Sequence, residues 1–161
     1  MPGKMKNKLI GLLFISLFTI ACNQNDVYVK YHTISPEGWS KDSICTFDIP
    51  ITDTRATYNV YISVRNRAEY PYQNLWLFLS KTSPDNLQTS DSIECYLADR
   101  RGKWLGTGVG PIFDMPVLYQ ENMHFNTAGI YRYKIIHGMR TDVLSGINDI
   151  GMRVEMVRSK E

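Results

Sequence analysis

Residues 58–79, YNVYISVRNRAEYPYQNLWLFL, constrain the fold more than any other stretch of this chain. Two runs of β-branched, aromatic and aliphatic residues flank a polar break that carries Pro71, which predicts a strand, a connection and a second strand. In the first run Tyr58, Val60, Ile62 and Val64 alternate with Asn59, Tyr61, Ser63 and Arg65, so one face is apolar and the other mixed. The second run is apolar on both faces, with Leu75, Leu77 and Leu79 opposite Trp76 and Phe78. Such a strand is expected at the centre of its sheet with cover on both sides.

The remainder reads as further short strands. They are predicted over residues 27–31, 44–51, 92–98, 103–106, 117–125, 129–137 and 150–157, each alternating and bounded by turn residues. Pro50 near the end of its run points to an edge strand or a strand terminus. Residues 80–91 read as a polar loop, and 139–146 as a turn or a single helical turn capped by Thr141 or Asp142. Trp39 stands in a polar segment, where a large aromatic plugs the end of a core. About eight short antiparallel strands without a long helix predict an all-β fold, a β-sandwich of immunoglobulin-like type. The expected organisation is a signal peptide over 1–21, a tether over 22–26 and one β-sandwich domain over 27–161.

The N-terminus is a targeting segment. Lys4, Lys6 and Lys8 precede a short apolar run over 9–20, too short for a membrane span, which needs about 20 residues. Met5 opens this segment as well as Met1 does. Thr19-Ile20-Ala21-Cys22 closes it and resembles a bacterial lipoprotein signal, with Thr where Leu is commonest. That resemblance implies a lipid on the Cys22 sulfur and an acylated amine after cleavage. Each buried methylene contributes about 0.8 kcal/mol, and two or more acyl chains hold a protein stably on a membrane. The mature protein is therefore expected to be tethered to a membrane and not to span it. An ordinary secretory peptide with a core cysteine nearby is the other reading.

No residue pattern announces chemistry. A formal net charge of +2 on 161 residues gives no electrostatic footprint for nucleic acid. The glycine string over 106–110 lacks the Lys-Ser/Thr of a phosphate loop and reads as a bulge or tight turn. His32, His124 and His137 stand at no triad-like or ligand-like spacing. Asp142, Asn148 and Asp149 lack the pattern of a calcium loop and read as caps and turns. Neither a metal nor a cofactor is expected, and no catalytic residue is assigned. Cys45 and Cys95 are either a disulfide, as an exported protein allows, or two separate core residues.

The outward faces carry the remaining candidates. With one face of the central strands open, Tyr61, Trp76 and Phe78 would form an aromatic patch with Arg65 at its margin, the make-up of a protein-binding surface. With that face covered, the same residues are core. A second reading takes Trp39, Trp76 or Trp104 as a stacking platform in a cell-envelope glycan-binding module.

The order of segments resembles the gliding motility lipoprotein GldH family of the Bacteroidetes. The likeness rests on Cys22, on Tyr58, Asn59 and Tyr61 leading to Arg65-Asn66, and on Tyr70-Pro71 followed by Asn74-Leu75-Trp76. It extends through Gly102, Trp104, Gly106, Gly129 and Tyr131 to its most specific string, MRTDVLSGI over 139–147, with Asp149-Ile150-Gly151. It implies a non-enzymatic envelope lipoprotein associated with the gliding machinery, which in this phylum is tied to type IX secretion. Only Cys22, the lipid attachment site, carries over as a functional position. The expected partners are a membrane, held through the lipid, and other envelope or gliding proteins. The expected location is the outer membrane, with the domain periplasmic or surface-exposed.

Overall fold

The computed structural model describes residues 25–108 and 110–157, and they form ten β-strands and no helix. Eight of these build two four-stranded antiparallel sheets. The first has the order β1(Asp26–Thr33)-β10(Ile147–Val157)-β4(Thr57–Arg67)-β7(Ile112–Met123), and the second β3(Cys45–Ile51)-β8(Gly129–His137)-β5(Asn74–Thr82)-β6(Gln88–Tyr96). β2(Trp39–Ser40) and β9(Val143–Leu144) pair with each other at one end.

The expected sandwich is present, but its strand order is not the immunoglobulin-like one. The first and last strands lie side by side, and the chain crosses between sheets at each of the first three long connections, which is the order of a jelly roll. The two runs within residues 58–79 therefore sit in different sheets, β4 in the first and β5 in the second. Pro50 lies in an edge strand as expected. Pro116, within β7, also lies on an edge, where its missing N–H breaks no ladder between two neighbours.

Alternation in each strand produces the core. Phe47 and Ile49 from β3, Leu75 and Leu77 from β5, and Tyr133 and Ile135 from β8 meet Val60, Ile62, Ile150 and Val154 from the facing sheet, all fully buried. The ends are closed by aromatics. Trp39 is inaccessible at one end, its Nε1–H donating to the Ser43 carbonyl at 2.8 Å. Phe125 closes the other, edge-on to Tyr58 and 4.6 Å from the Tyr131 ring centre.

Several local expectations shift. Residues 139–146 contain β9 in place of a helical turn, because Val143 and Leu144 pair with Ser40 and Trp39 and Leu144 enters the core. The backbone of Gly38 packs against Val143 and Leu144, leaving no room there for a side chain. The polar loop over 80–91 shrinks to residues 83–87, since β5 and β6 pair out to Thr82 and Gln88. The strand over 103–106 reduces to a single bridge between Ala98 and Trp104.

Cys45 and Cys95 are free and buried. They stand on opposite edge strands of one sheet, with β8 and β5 between them. Three strand spacings alone put them at least about 14 Å apart, twice the reach of a disulfide, and the register adds a four-residue offset along the strands. Burial pushes their thiols up to about 11 and about 12, so both stay protonated and unreactive.

Gly151 in β10 lies beneath the Tyr31 ring, and a Cβ there would stand 2.5 Å from that ring. Gly151→Val should displace Tyr31 and lower stability by about 1–3 kcal/mol, the range for overpacking. Urea unfolding of the two proteins measures this; an unchanged midpoint would show that the close approach has no energetic weight.

Candidate functional site

The two outer faces of the sandwich differ in chemistry. On the first sheet β4, β10 and their neighbours carry a closed polar lattice. Arg65 lies over the Tyr31 ring at 3.8 Å, donates to Asp114 at 2.9 Å and approaches Asp149 at 4.0 Å. Arg153 lies over the Tyr61 ring at 4.0 Å and pairs with Glu155 at 2.6 Å and Asp26 at 3.2 Å. Tyr61 donates to Glu155 at 2.7 Å. Burial opposes ionisation of Glu155, but the bonds from Tyr61 and Asn59 and the charge of Arg153 outweigh it and hold its carboxyl below the usual range. The bond to Glu155, followed by burial, pushes the Tyr61 phenol up. Arg65, Arg153, Asp114, Asp149, Asp26 and Glu155 are thus engaged with neighbours in the same face.

The second sheet presents a mixed outer face, where Arg132 pairs bidentately with Asp48 and the apolar side chains gather around Phe78. Its alternation buries Leu75, Leu77 and Leu79 and turns Trp76 and Phe78 outward, 39% and 49% exposed. β5 is central in its sheet as expected, yet nothing in the described chain covers its second side, and this corrects the expectation of double cover. Phe78 stands opposite Ser92 on one side and Ile136 on the other. With Ile44, 55% exposed, these residues border an open groove of about 620 Å³ whose polar margin holds Ser80, Ser90, Asp91, Ser92 and Lys134. Gly138 stands beside Phe78 and Trp76, and its N–H donates to the Trp76 carbonyl at 2.7 Å. A Cβ on Gly138 would come within 3.0 Å of the Phe78 ring. Beside Trp76, Glu94 accepts from Asn74 and from the Tyr96 hydroxyl.

The structure brings Tyr61 and Arg65 to one face and places Trp76 on the opposite sheet, so the three do not share a surface. Cys22 lies outside the described residues. Of the other two tryptophans, Trp39 is core, and Trp104 is half-buried against Tyr70 and Phe113. Ile44, Tyr96 and Ile136 were not among the candidates. The alternation in their strands marks them as outward residues, but only the order of β6, β5 and β8 makes them neighbours of Phe78 and Trp76.

The three histidines are separate. His32 Nε2–H donates to the Thr46 carbonyl at 2.6 Å, His124 lies 3.4 Å from Thr57, and His137 is buried beneath Trp39. Asp142 pairs with exposed Lys41, whereas Asp149 accepts from Thr33 and Asn148 in the lattice around Arg65. Among the described residues no three metal-ligating side chains converge. In the glycine string, Gly106 and Gly108 press against the backbone of Asp114 and Ile112, and Thr107 bridges Asp114.

Burial holds the His137 imidazole below its ordinary pKa. The unfolded chain therefore binds a proton that the folded chain resists. The stabilisation is complete above the unfolded value of about 6.5 and is lost as pH falls below it toward the lower folded value. Urea midpoints taken between pH 7.5 and 5 should fall with acidification, and His137→Leu should flatten that part of the curve. An equally steep fall in the variant would place the proton uptake elsewhere.

The chain is similar to known proteins along most of its length. The family model described as GldH lipoprotein matches residues 26–154. A gliding motility lipoprotein GldH homolog of Christiangramia forsetii is 34% identical over 154 residues, 89% of this chain and 94% of that protein. Gliding motility lipoprotein GldH of Flavobacterium johnsoniae is 30% identical over 159 residues, 94% of this chain and 98% of that protein. Among solved structures, that of the infectious bursal disease virus Gx strain matches with a TM-score of 0.32 at 11% identity, over 84% of this chain and 33% of that one.

Proposed function

The chain belongs to the GldH lipoprotein family, and from that premise we propose that it is a non-enzymatic envelope lipoprotein that serves the gliding machinery by binding other envelope proteins. In this reading the Cys22 sulfur carries the lipid, the anchor sits in the outer membrane, and the machinery is the one tied to type IX secretion. The observation that carries the reading is the match to two relatives named for gliding motility, each along nearly its whole length. The exposed rings of Phe78 and Trp76, with the groove that Phe78 borders, support protein contact, because burial of exposed aromatic surface is what contributes most at the centre of an interface. Non-catalytic action is supported by the separation of the histidines and by the inaccessibility of His137. Of the three tryptophans named for glycan stacking, that reading keeps Trp76 as the exposed one.

Two measurements test this. Acyl labelling of the wild type should be lost in Cys22→Ser, and equal labelling of both would end the anchor at that sulfur. A photoreactive amino acid at Trp76 or Phe78 should give a discrete protein adduct in the native envelope, and one at Tyr61 should give several-fold less. Adducts of heterogeneous mass containing no second protein would favour the glycan reading. Equal protein adducts from both faces would remove the groove as the contact.

A further inference from the structure

The anchor and the fold together restrict how the domain stands on its membrane. The Asn25 carbonyl accepts the Met156 N–H at 2.8 Å, and β1 begins at Asp26. The chain is therefore held against β10 from Asn25 onward, inside the segment 22–26 expected as a tether. Between Cys22 and Asn25 lie three residue steps, which span at most about 11 Å even when fully extended. The sandwich is much taller than that, since β10 has 11 residues and a strand of that length measures about 35 Å.

The start of β1 lies at the end of the sandwich where β10 finishes and β4 starts. The connections 52–56, 83–87 and 124–128 gather at this same end, because Ile51 pairs with Gly129, Tyr58 with Met123, and Gly129 packs against Pro84. The other connections, including 97–111 and 138–142, lie at the far end. We propose that the loops 52–56, 83–87 and 124–128 rest on the phospholipid headgroups of the anchoring membrane, with the strands standing away from it.

The chemistry of these loops suits that occupant. Asp53 accepts the Arg55 backbone N–H and pairs with its guanidinium at 3.6 Å, and Asp85 accepts the Ser83 hydroxyl. The rest are mostly Thr, Asn, Ser, Pro and Ala, groups that exchange water for headgroup contacts without stranding an unpaired charge. Leu87 is 66% exposed here, more than any other large apolar side chain described. Its turn is held by mutual bonds between Ser83 and Leu87, so the side chain is presented on a braced loop.

The inference rests on a lipid at Cys22, and the test separates the two. The acylated mature chain is reconstituted in phosphatidylcholine vesicles doped with a phospholipid carrying a photoreactive headgroup, irradiated, and the adducts mapped to peptides. A parallel sample carries a synthetic diacyl maleimide on Cys22, so that orientation is read whether or not the cell acylates that residue; Cys45 and Cys95 are buried and do not compete. Adducts should concentrate several-fold in the loops 52–56, 83–87 and 124–128 over 97–111 and 138–142. Leu87→Asp should lower those in 83–87 and leave vesicle retention unchanged. Adducts centred on Val29 and Leu118 would lay the domain on its first sheet and overturn the proposal. So would adducts spread evenly over both ends, or their absence from a retained protein. Failure of the natural chain to stay on vesicles would defeat the anchor reading instead.

Discussion

The two sheets are held by a single slab of side chains shared between them, and each other feature of the molecule depends on that slab being dry and full. Phe47, Ile49, Leu77, Tyr133 and Ile135 project from one sheet and Val60, Ile62, Ile150, Met152 and Val154 from the other. Fully burying a side chain of this size contributes about 1.5–3 kcal/mol. A sandwich is open at both ends unless something stops water there, and here the stoppers are aromatic. Trp39 can serve because β2 and β9 clamp its backbone against Leu144. Phe125 can serve because Tyr58 receives it edge-on from one sheet and Tyr131 meets it at a tilt from the other.

With the interior satisfied, the two outer faces are free to diverge, and they have done so in opposite directions. On the first sheet, arginines lie over Tyr31 and Tyr61 and bond to carboxylates on adjacent strands, Arg65 to Asp114 and Arg153 to Asp26. Such stacking and pairing stiffens the sheet across its strands and leaves little unsatisfied charge to offer a partner. Gly151 makes the stacking possible at Tyr31, because the ring must come down onto the β10 backbone before Arg65 can lie on it. The second sheet has no comparable lattice around Phe78. Phe78 meets Ser92 and Ile136, Trp76 stands opposite Glu94, and both rings remain exposed, so the free energy available from covering them has not been used within the chain.

Strand interiors were legible in the sequence because period-two alternation is a local signal, and residues 45–51, 58–65 and 129–137 fold as their patterns read. Strand order was not legible, since nothing in the run around Tyr58 states that its neighbours will be β7 and β10 rather than β5. That gap explains both the jelly roll in place of an immunoglobulin-like order and the separation of Tyr61 and Arg65 from Trp76. The apolar outward residues of β5 point to cover, the usual reason for a two-sided strand, whereas here the second side stays open. β9 escaped because two residues are too few to show a period. Its place depends on Gly38 and Trp39, a hundred residues earlier in the chain.

An anchor at one corner of a rigid body limits what that body can touch. The strands of this domain are joined into continuous ladders, so the lipid proposed on Cys22, at most about 11 Å from Asn25, would govern the pose of the whole sandwich and not only of its first strand. With the end that carries Leu87 against the headgroups, both sheet faces stand upright on the membrane. The groove beside Phe78 then opens sideways and lies within about 35 Å of the headgroups. A partner that fills it approaches along the membrane plane, and one held in the same membrane meets it with most of its orientational freedom already lost. The ordering that association otherwise requires is thereby reduced. A shallow apolar groove, weak for partners meeting in solution, is adequate for partners confined to one surface.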